Sequence, residues 1–216
     1  MFHIIQDQSS RNIIKGSARD FLLGEEVIDM DVVTSATPEE MKLFLKDADF
    51  LFSKFGSVKY KSNGVKFDIT TLRKENNYKD SRHPMEVEFV KDLKIDVKRR
   101  DFTINGMYMD EHFSVIDYVG GEKDLNAHVI RMIGNPTKRL KEDPLRIIRA
   151  IRFSLTLDFD IDEKLEKAML KEKNLLKLLR KEKIIQDLNK IKTSKEEKKK
   201  ELFDKFGITE VLNVIE

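Results

Sequence analysis

The sequence predicts an α+β protein in two parts, and three observations carry that prediction. Up to about residue 160, Gly, Pro, Phe and β-branched residues are interleaved with charge, as strands and turns require. Beyond it Lys, Glu and Leu dominate, a helical composition. The chain has 216 residues, 40% of them hydrophobic, which suffices for one sizeable core or two small ones.

Taken in order, Asn12-Ile13-Ile14-Lys15 reads as a short strand, Gly16-Ser17 as a turn, and Ala18 to Leu23 as a helix closed by Gly24. Ile28 to Val33 alternates apolar and acidic residues with the period of a half-buried strand. Thr37-Pro38-Glu39-Glu40 has the order of a capping box with proline in the first turn, and the helix it opens is expected to reach about Lys54. Val65 to Thr71 reads as a strand, Arg73 to Pro84 as a polar mobile loop, and Met85 to Val90 as a returning strand. Met107-Tyr108-Met109 and Phe113 to Ile116 resemble a strand pair, broken by Gly120-Gly121. Asp143-Pro144 opens a strong helix, with Asp143 expected as N-cap and Pro144 in the first helical position. Two or three further helices are expected from Glu163 to Lys205.

Composition excludes several classes. Lys plus Arg number 41 against 39 acidic residues, a net charge of +2, so any polyanion site must be local. With no cysteine there can be no disulfide or thiolate metal site, which fits a reducing compartment such as the cytoplasm. No apolar run approaches the ~20 residues of a membrane span, and Met1-Phe2-His3 does not begin a signal sequence. The four histidines show no ligand spacing.

Three clusters carry chemistry. In the first, Gly16-Ser17-Ala18-Arg19-Asp20 would bring backbone amides and one guanidinium to a phosphate. Asp29 and Asp31 follow, two apart on a strand and hence on one face with Cα atoms roughly 6.6 Å apart. Such a pair can grip one hard cation, a magnesium site in outline, although Asp-x-Asp also arises by chance. The second cluster is Arg99 to Asn105. Adjacent arginines cannot share a face, so one is expected on a phosphate and the other on Asp20, Asp101 or solvent. In the third, Arg146, Arg149 and Arg152 recur every three residues as a basic helical stripe opposite Leu145, Ile148 and Ile151. Asp143 and Arg146 could together present an acceptor and a donor fork to the base edge shared by cytosine and adenine. The plainer alternative is a solvated face of intrahelical ion pairs. Lys195 and Lys198-Lys199-Lys200 could touch an RNA backbone, with a solvated face again the simpler reading.

In this order the motifs resemble those of the class II tRNA nucleotidyltransferases, the family of CCA-adding enzymes and bacterial poly(A) polymerases. The match runs over Lys15 to Gly24, Asp29/Asp31, Thr34 to Glu39, Arg99 to Asn105 and Glu142 to Arg152. It implies a polymerase-β-like head with a mixed sheet over 1–135 and a helical neck over 136–216. It also implies that Asp29 and Asp31 hold Mg2+, with Asp68 a candidate third acidic residue. Gly16, Arg19, Arg100, Arg149 and Arg152 fall where the family contacts the nucleotide's phosphates and sugar, and Asp143 and Arg146 where it pairs with the incoming base. The implied reaction transfers CMP and AMP from CTP and ATP to the 3′ end of tRNA, releasing pyrophosphate. Arg73 to Pro84 resembles the loop that A-adding members need. Val58 to Val65 lacks the basic segment of the poly(A) polymerases, leaving poly(A) synthesis as the alternative, together with a non-catalytic nucleotide-binding subunit. Two departures stand out: Lys15-Gly16 replaces the usual Gly-Gly, and family members generally continue into body and tail domains.

Overall fold

A computed structural model describes residues 13–14, 17–26, 29–78, 84–191 and 195–214. By internal contacts the chain separates into two compact units. One holds the described residues before Tyr78 together with Pro84–Glu122; the other holds Tyr78 and the described residues from Lys123 onward.

The first unit is built on a six-stranded mixed sheet. Its strands in chain order are β1 (Ile13–Ile14), β2 (Asp29–Thr34), β3 (Ser57–Ser62), β4 (Val65–Thr71), β7 (Tyr108–Met109) and β8 (Val115–Ile116). Their spatial order is β3-β4-β2-β1-β7-β8, and only the β2–β4 pairing is parallel. Between β1 and β2 lies helix α1 (Ser17–Leu22), and Gly24 follows it at φ +73, the left-handed geometry that glycine permits at a helix end. Val32, Val58 and Ile69 are in register on one face and, with Ala36, Met41 and Leu45, form an apolar core. The alternating positions face the other way. There burial falls off along β4 from buried Thr70, through half-buried Asp68, to exposed Lys66.

The capping box forms as the sequence indicates: the Glu40 amide donates to Thr37 Oγ1 and the Thr37 amide to Glu40 Oε2. The helix it opens is far shorter than expected, however, with α2 ending at Met41 (Pro38–Met41). The cause lies downstream. Met41 and Leu45 are already in the core, and Asp49 pairs through its backbone with Lys59 of β3, drawing the chain to the sheet edge. The Asp49 carboxylate accepts the Leu51 amide in a local turn that competes with helix.

The polar segment expected as a loop is instead a two-stranded sheet, β5 (Arg73–Tyr78) with β6 (Pro84–Phe89). Residues 79–83 of that segment lie outside the described residues. Helix α3 (Leu93–Asp96), capped by the Asp92 carboxylate on the Lys94 amide, leads into a 3-10 turn over Val97–Arg99. Gly120 and Gly121 end the β7–β8 pair and begin α4 (Gly121–Asn126). A Cβ on Gly121 would lie 2.3 Å from the Thr103 carbonyl oxygen, so the helix can seat there only on glycine.

The second unit is helical, with one short parallel pair of strands, β9 (Val129–Ile130) and β10 (Asp160–Ile161). Its helices are α5 (Pro136–Glu142), α6 (Leu145–Leu157), α7 (Glu163–Glu172), α8 (Lys181–Leu188), α9 (Glu196–Phe206) and α10 (Ile208–Val214). At the centre, α6 packs on α5, α8, α9 and both strands. Ile147, Ile148, Ala150 and Ile151 are fully buried, and Arg146 and Ser154 nearly so, so α6 is enclosed around most of its circumference. The plainer alternative of a solvated arginine face is therefore not what α6 presents: Arg146 is buried and Arg149 and Arg152 are half-buried. Among the described residues no helix is long and apolar enough to cross a membrane.

Candidate nucleotidyl-transfer site

The strand register creates the principal site. Parallel pairing of β2 and β4 sets Asp31 directly beside Asp68, and Asp29 two positions earlier on β2 beside Lys66. In-register neighbours share a face, so Asp29, Asp31 and Asp68 occupy three positions on the face opposite Val32 and Ile69. Asp31 and Asp68 are half-buried, and Asp68 Oδ1 accepts from Ser57 Oγ at 3.2 Å. Among the described residues no three acidic or histidine side chains form a metal cage; the side chain of Asp29 is not one of those described. An all-oxygen donor set on an open strand face suits a hard divalent cation.

The first and second motifs are joined by hydrogen bonds. Arg19, on α1, donates to Asn105 Oδ1 at 2.6 Å and to the Asp20 carboxylate. Asn105 in turn donates to Asp101 Oδ1, which also accepts the Phe102 amide. The Arg19 fork is thereby fixed in direction before any ligand arrives. Gly16, the other expected phosphate contact here, lies outside the described residues.

Arg99 and Arg100 behave differently from expectation. Both grip Asp96, one on each carboxylate oxygen, at 2.8 and 2.7 Å. Asp96 is fully buried, and it also accepts the Arg73 amide and the Tyr108 hydroxyl. Burial pushes its carboxyl up, but Arg99, Arg100 and the Arg73 amide outweigh that and hold it at about 2. Burial raises the Tyr108 phenol, while Arg100, although desolvated, is held more firmly protonated by Asp96. Arg99 also reaches Glu75 on β5 at 3.4 Å, which ties the polar hairpin to the same cluster. The sequence carried a signal for Asp96 that was passed over: it precedes the arginines by three and four residues, the spacing at which opposite charges meet on one helical turn.

In the helical unit, Asp143 is extended, and its carboxylate accepts the Leu145 amide at 3.1 Å. It thus caps α6 chemically, although the helix proper begins at Leu145, one residue later than expected, because the first backbone bonds, from Arg146 to the Asp143 carbonyl and from Ile147 to the Pro144 carbonyl, span three residues and not four. Arg146 is 5% exposed and donates to the Arg139 carbonyl at 2.6 Å and to Glu142 at 3.4 Å. Arg152 pairs with buried Asp187 at 2.6 Å and lies over the Phe153 ring; Arg149 is half-buried at 5.8 Å from the same ring. Lys195 and Lys198 pair with Asp158 at the end of α6, in keeping with the plainer reading of that lysine run.

A mixed sheet with carboxylates at neighbouring positions of a parallel strand pair, followed by a helical unit, defines the fold of a polymerase-β-like nucleotidyltransferase head. The poly A polymerase head domain matches residues 12–131, and the chain belongs to that family. A CCA-adding enzyme of Lactobacillus helveticus is 44% identical over 179 residues, covering 82% of this chain and 45% of that protein. Among solved structures, the Bacillus stearothermophilus CCA-adding enzyme in complex with CTP superposes with a TM-score of 0.77 at 34% identity, over 85% of this chain and 45% of that one. A tRNA nucleotidyltransferase complexed with a primer tRNA and an incoming ATP analog gives 0.77 at 31% identity, over 95% and 60%. The chain thus spans less than half the length of the curated relatives it matches.

Proposed function

We propose that this chain transfers CMP and AMP from CTP and ATP to the 3′ end of tRNA, releasing pyrophosphate, and that it does so in the cytoplasm. The observation that carries the reading is the Asp31–Asp68 register with Asp29 two positions away, supported by the names of the relatives and by the CTP and ATP-analog complexes of the structural neighbours. In this reading residues 1–135 act as the head and 136–216 as the neck.

Asp29, Asp31 and Asp68 would hold Mg2+, which when bound neutralises the triphosphate and activates the attacking hydroxyl. The protein's own share is positional. Strand pairing fixes the carboxylates laterally, and the Ser57 hydroxyl orients Asp68, so little reorganisation is needed when the donors engage. Arg19, steered by Asp20 and Asn105, offers a preset fork to phosphate oxygens, and Gly16 is assigned as a further phosphate contact. Arg100, Arg149 and Arg152 contribute positive charge toward the nucleotide's phosphates and sugar. Asp143 and Arg146 are assigned to the base edge that cytosine and adenine share, with Arg146 exchanging its Glu142 contact for the base.

The test is incubation of tRNA lacking its terminal CCA with labelled CTP and ATP, followed by sequencing of the 3′ ends, with Asp31→Ala as the blank. Ends restored to CCA by the wild type alone are expected. Equal labelling by the blank, or homopolymer A tails, would overturn the reading.

A further inference from the structure

The face that carries Asp31 and Asp68 continues outward into a group of exposed lysines that neither the family match nor the proposed reaction assigns. Antiparallel pairing of β3 with β4 puts Lys59 opposite Asp68 and Lys61 opposite Lys66, so all three lysines share the carboxylates' face. All three are exposed. Lys59 is readily explained, since Asp49 stands opposite it and balances its charge. Lys61 and Lys66 are not so balanced. They stand directly opposite one another, at a spacing of about 5 Å that makes like charges destabilising. One carboxylate position, Asp29, adjoins Lys66 from β2, and under the proposed function that carboxylate is committed to a cation. A repulsive pair kept on an open face, in a chain whose net charge is only +2, marks a local anion-binding point.

We propose that Lys61 and Lys66 anchor the sugar–phosphate backbone of the acceptor RNA strand beside the carboxylate face. The inference rests on the RNA-acceptor reading above. The geometry favours a strand over a nucleotide's triphosphate because the pair lies at the outer β3–β4 hairpin. There Lys66 stands two residues from Asp68 along β4, and Lys61 a further strand away. A backbone leading away from a 3′ end at Asp31 and Asp68 would run over these positions. Ammonium groups on flexible stems suit such sequence-blind contacts.

The experiment measures binding of a tRNA acceptor-strand oligoribonucleotide to the full chain as a function of salt, for wild type and for Lys61→Gln/Lys66→Gln. With two phosphate contacts removed, the salt slope is expected to fall in magnitude by about 1.4. The wild-type advantage in affinity should therefore shrink about sevenfold between ~50 and ~200 mM salt. Lys61→Arg/Lys66→Arg should retain the wild-type slope. The Gln variant should melt no lower than wild type, because the like-charge pair is relieved. Unchanged RNA affinity and slope, or a loss of CTP and ATP affinity in place of RNA affinity, would overturn the proposal; so would a wild type that binds no RNA. A chain that binds RNA through these lysines yet incorporates no nucleotide keeps the anchor and removes the transfer reading. One that incorporates with lysine-independent binding does the reverse.

Discussion

On the β2–β4 face, Asp31 and Asp68 are half-buried and set by strand register, whereas on α6 Arg146, expected at the base, and Arg152, expected at the phosphates and sugar, are seated in the protein's own ion pairs. Arg146 is closed over by Arg139 and Glu142, and Arg152 by Asp187. The Asp96 cluster of the first unit resembles α6 in this respect and not the sheet face a few elements away. Charge in this molecule therefore serves in two ways. Carboxylates left partly in water remain available to a cation, and buried guanidiniums matched to carboxylates hold backbone segments in place. A substitution should affect activity without stability in the first setting and stability first in the second.

The largest effect is expected from Asp31→Ala. Removing a carboxylate that positions a metal forfeits several kcal/mol of transition-state stabilisation, about 10³-fold or more in incorporation rate. The thermal midpoint should barely move, since a half-exposed carboxylate contributes within about 0.5 kcal/mol to folding. A variant that unfolds would erase the contrast. Asp96→Asn should do the opposite, costing about 3–5 kcal/mol in urea titration because Arg100 loses the buried carboxylate it grips and Arg99 keeps the longer contact with Glu75 in its place. Arg152→Ala should cost roughly 2–3 kcal/mol, toward the lower end for a broken buried pair because Lys190 remains 3.9 Å from Asp187.

Acid sharpens the same comparison. The Asp96 carboxyl lies at about 2 in the folded chain, below the ordinary value of 3.8, so its contribution is complete above 3.8 and disappears as pH falls through about 2. Stability measured from pH 5 down to pH 2 should drop by about 2 kcal/mol on this account, and in Asp96→Asn that portion of the drop should be missing. The smallest effect belongs to Arg149→Ala. Its ring contact at 5.8 Å contributes under about 1 kcal/mol, and a loss of CTP and ATP affinity on this substitution is the measurement that bears on its proposed place at the nucleotide.

What the sequence revealed were local features. The Thr37–Glu40 box, the Asp29/Asp31 alternation, the β7–β8 pair and the Asp143-Pro144 helix start all depend on neighbours within a few residues. Asp68 could be found as an acidic position on a strand, but not its register with Asp31, because α2 and β3 lie between β2 and β4 and their pairing is a tertiary choice. The extent of α2 failed for the same reason, since Asp49 answers to β3 and not to the helix behind it. Arg73 to Tyr78 was missed because an apolar-period search cannot see a strand whose stabilising contacts are polar: the Arg73 amide on Asp96, its guanidinium on Glu75, and Glu75 on Arg99. The partner of Arg152 was equally invisible, since Asp187 lies 35 residues away on α8, whereas Glu142 stands four residues before Arg146, a spacing the sequence displays.

The β3–β4 hairpin turns through Asn63 and Gly64, both at positive φ, and Gly64 has nothing within 4 Å of where a side chain would point. The chain has no native thiol. A single cysteine at Asn63, tolerating its left-handed backbone at a cost of about 1 kcal/mol, would therefore take a fluorophore or spin label uniquely, two residues from Lys61 and three from Lys66. The tip is a ready-made vantage point from which to watch an oligonucleotide arrive and leave in real time.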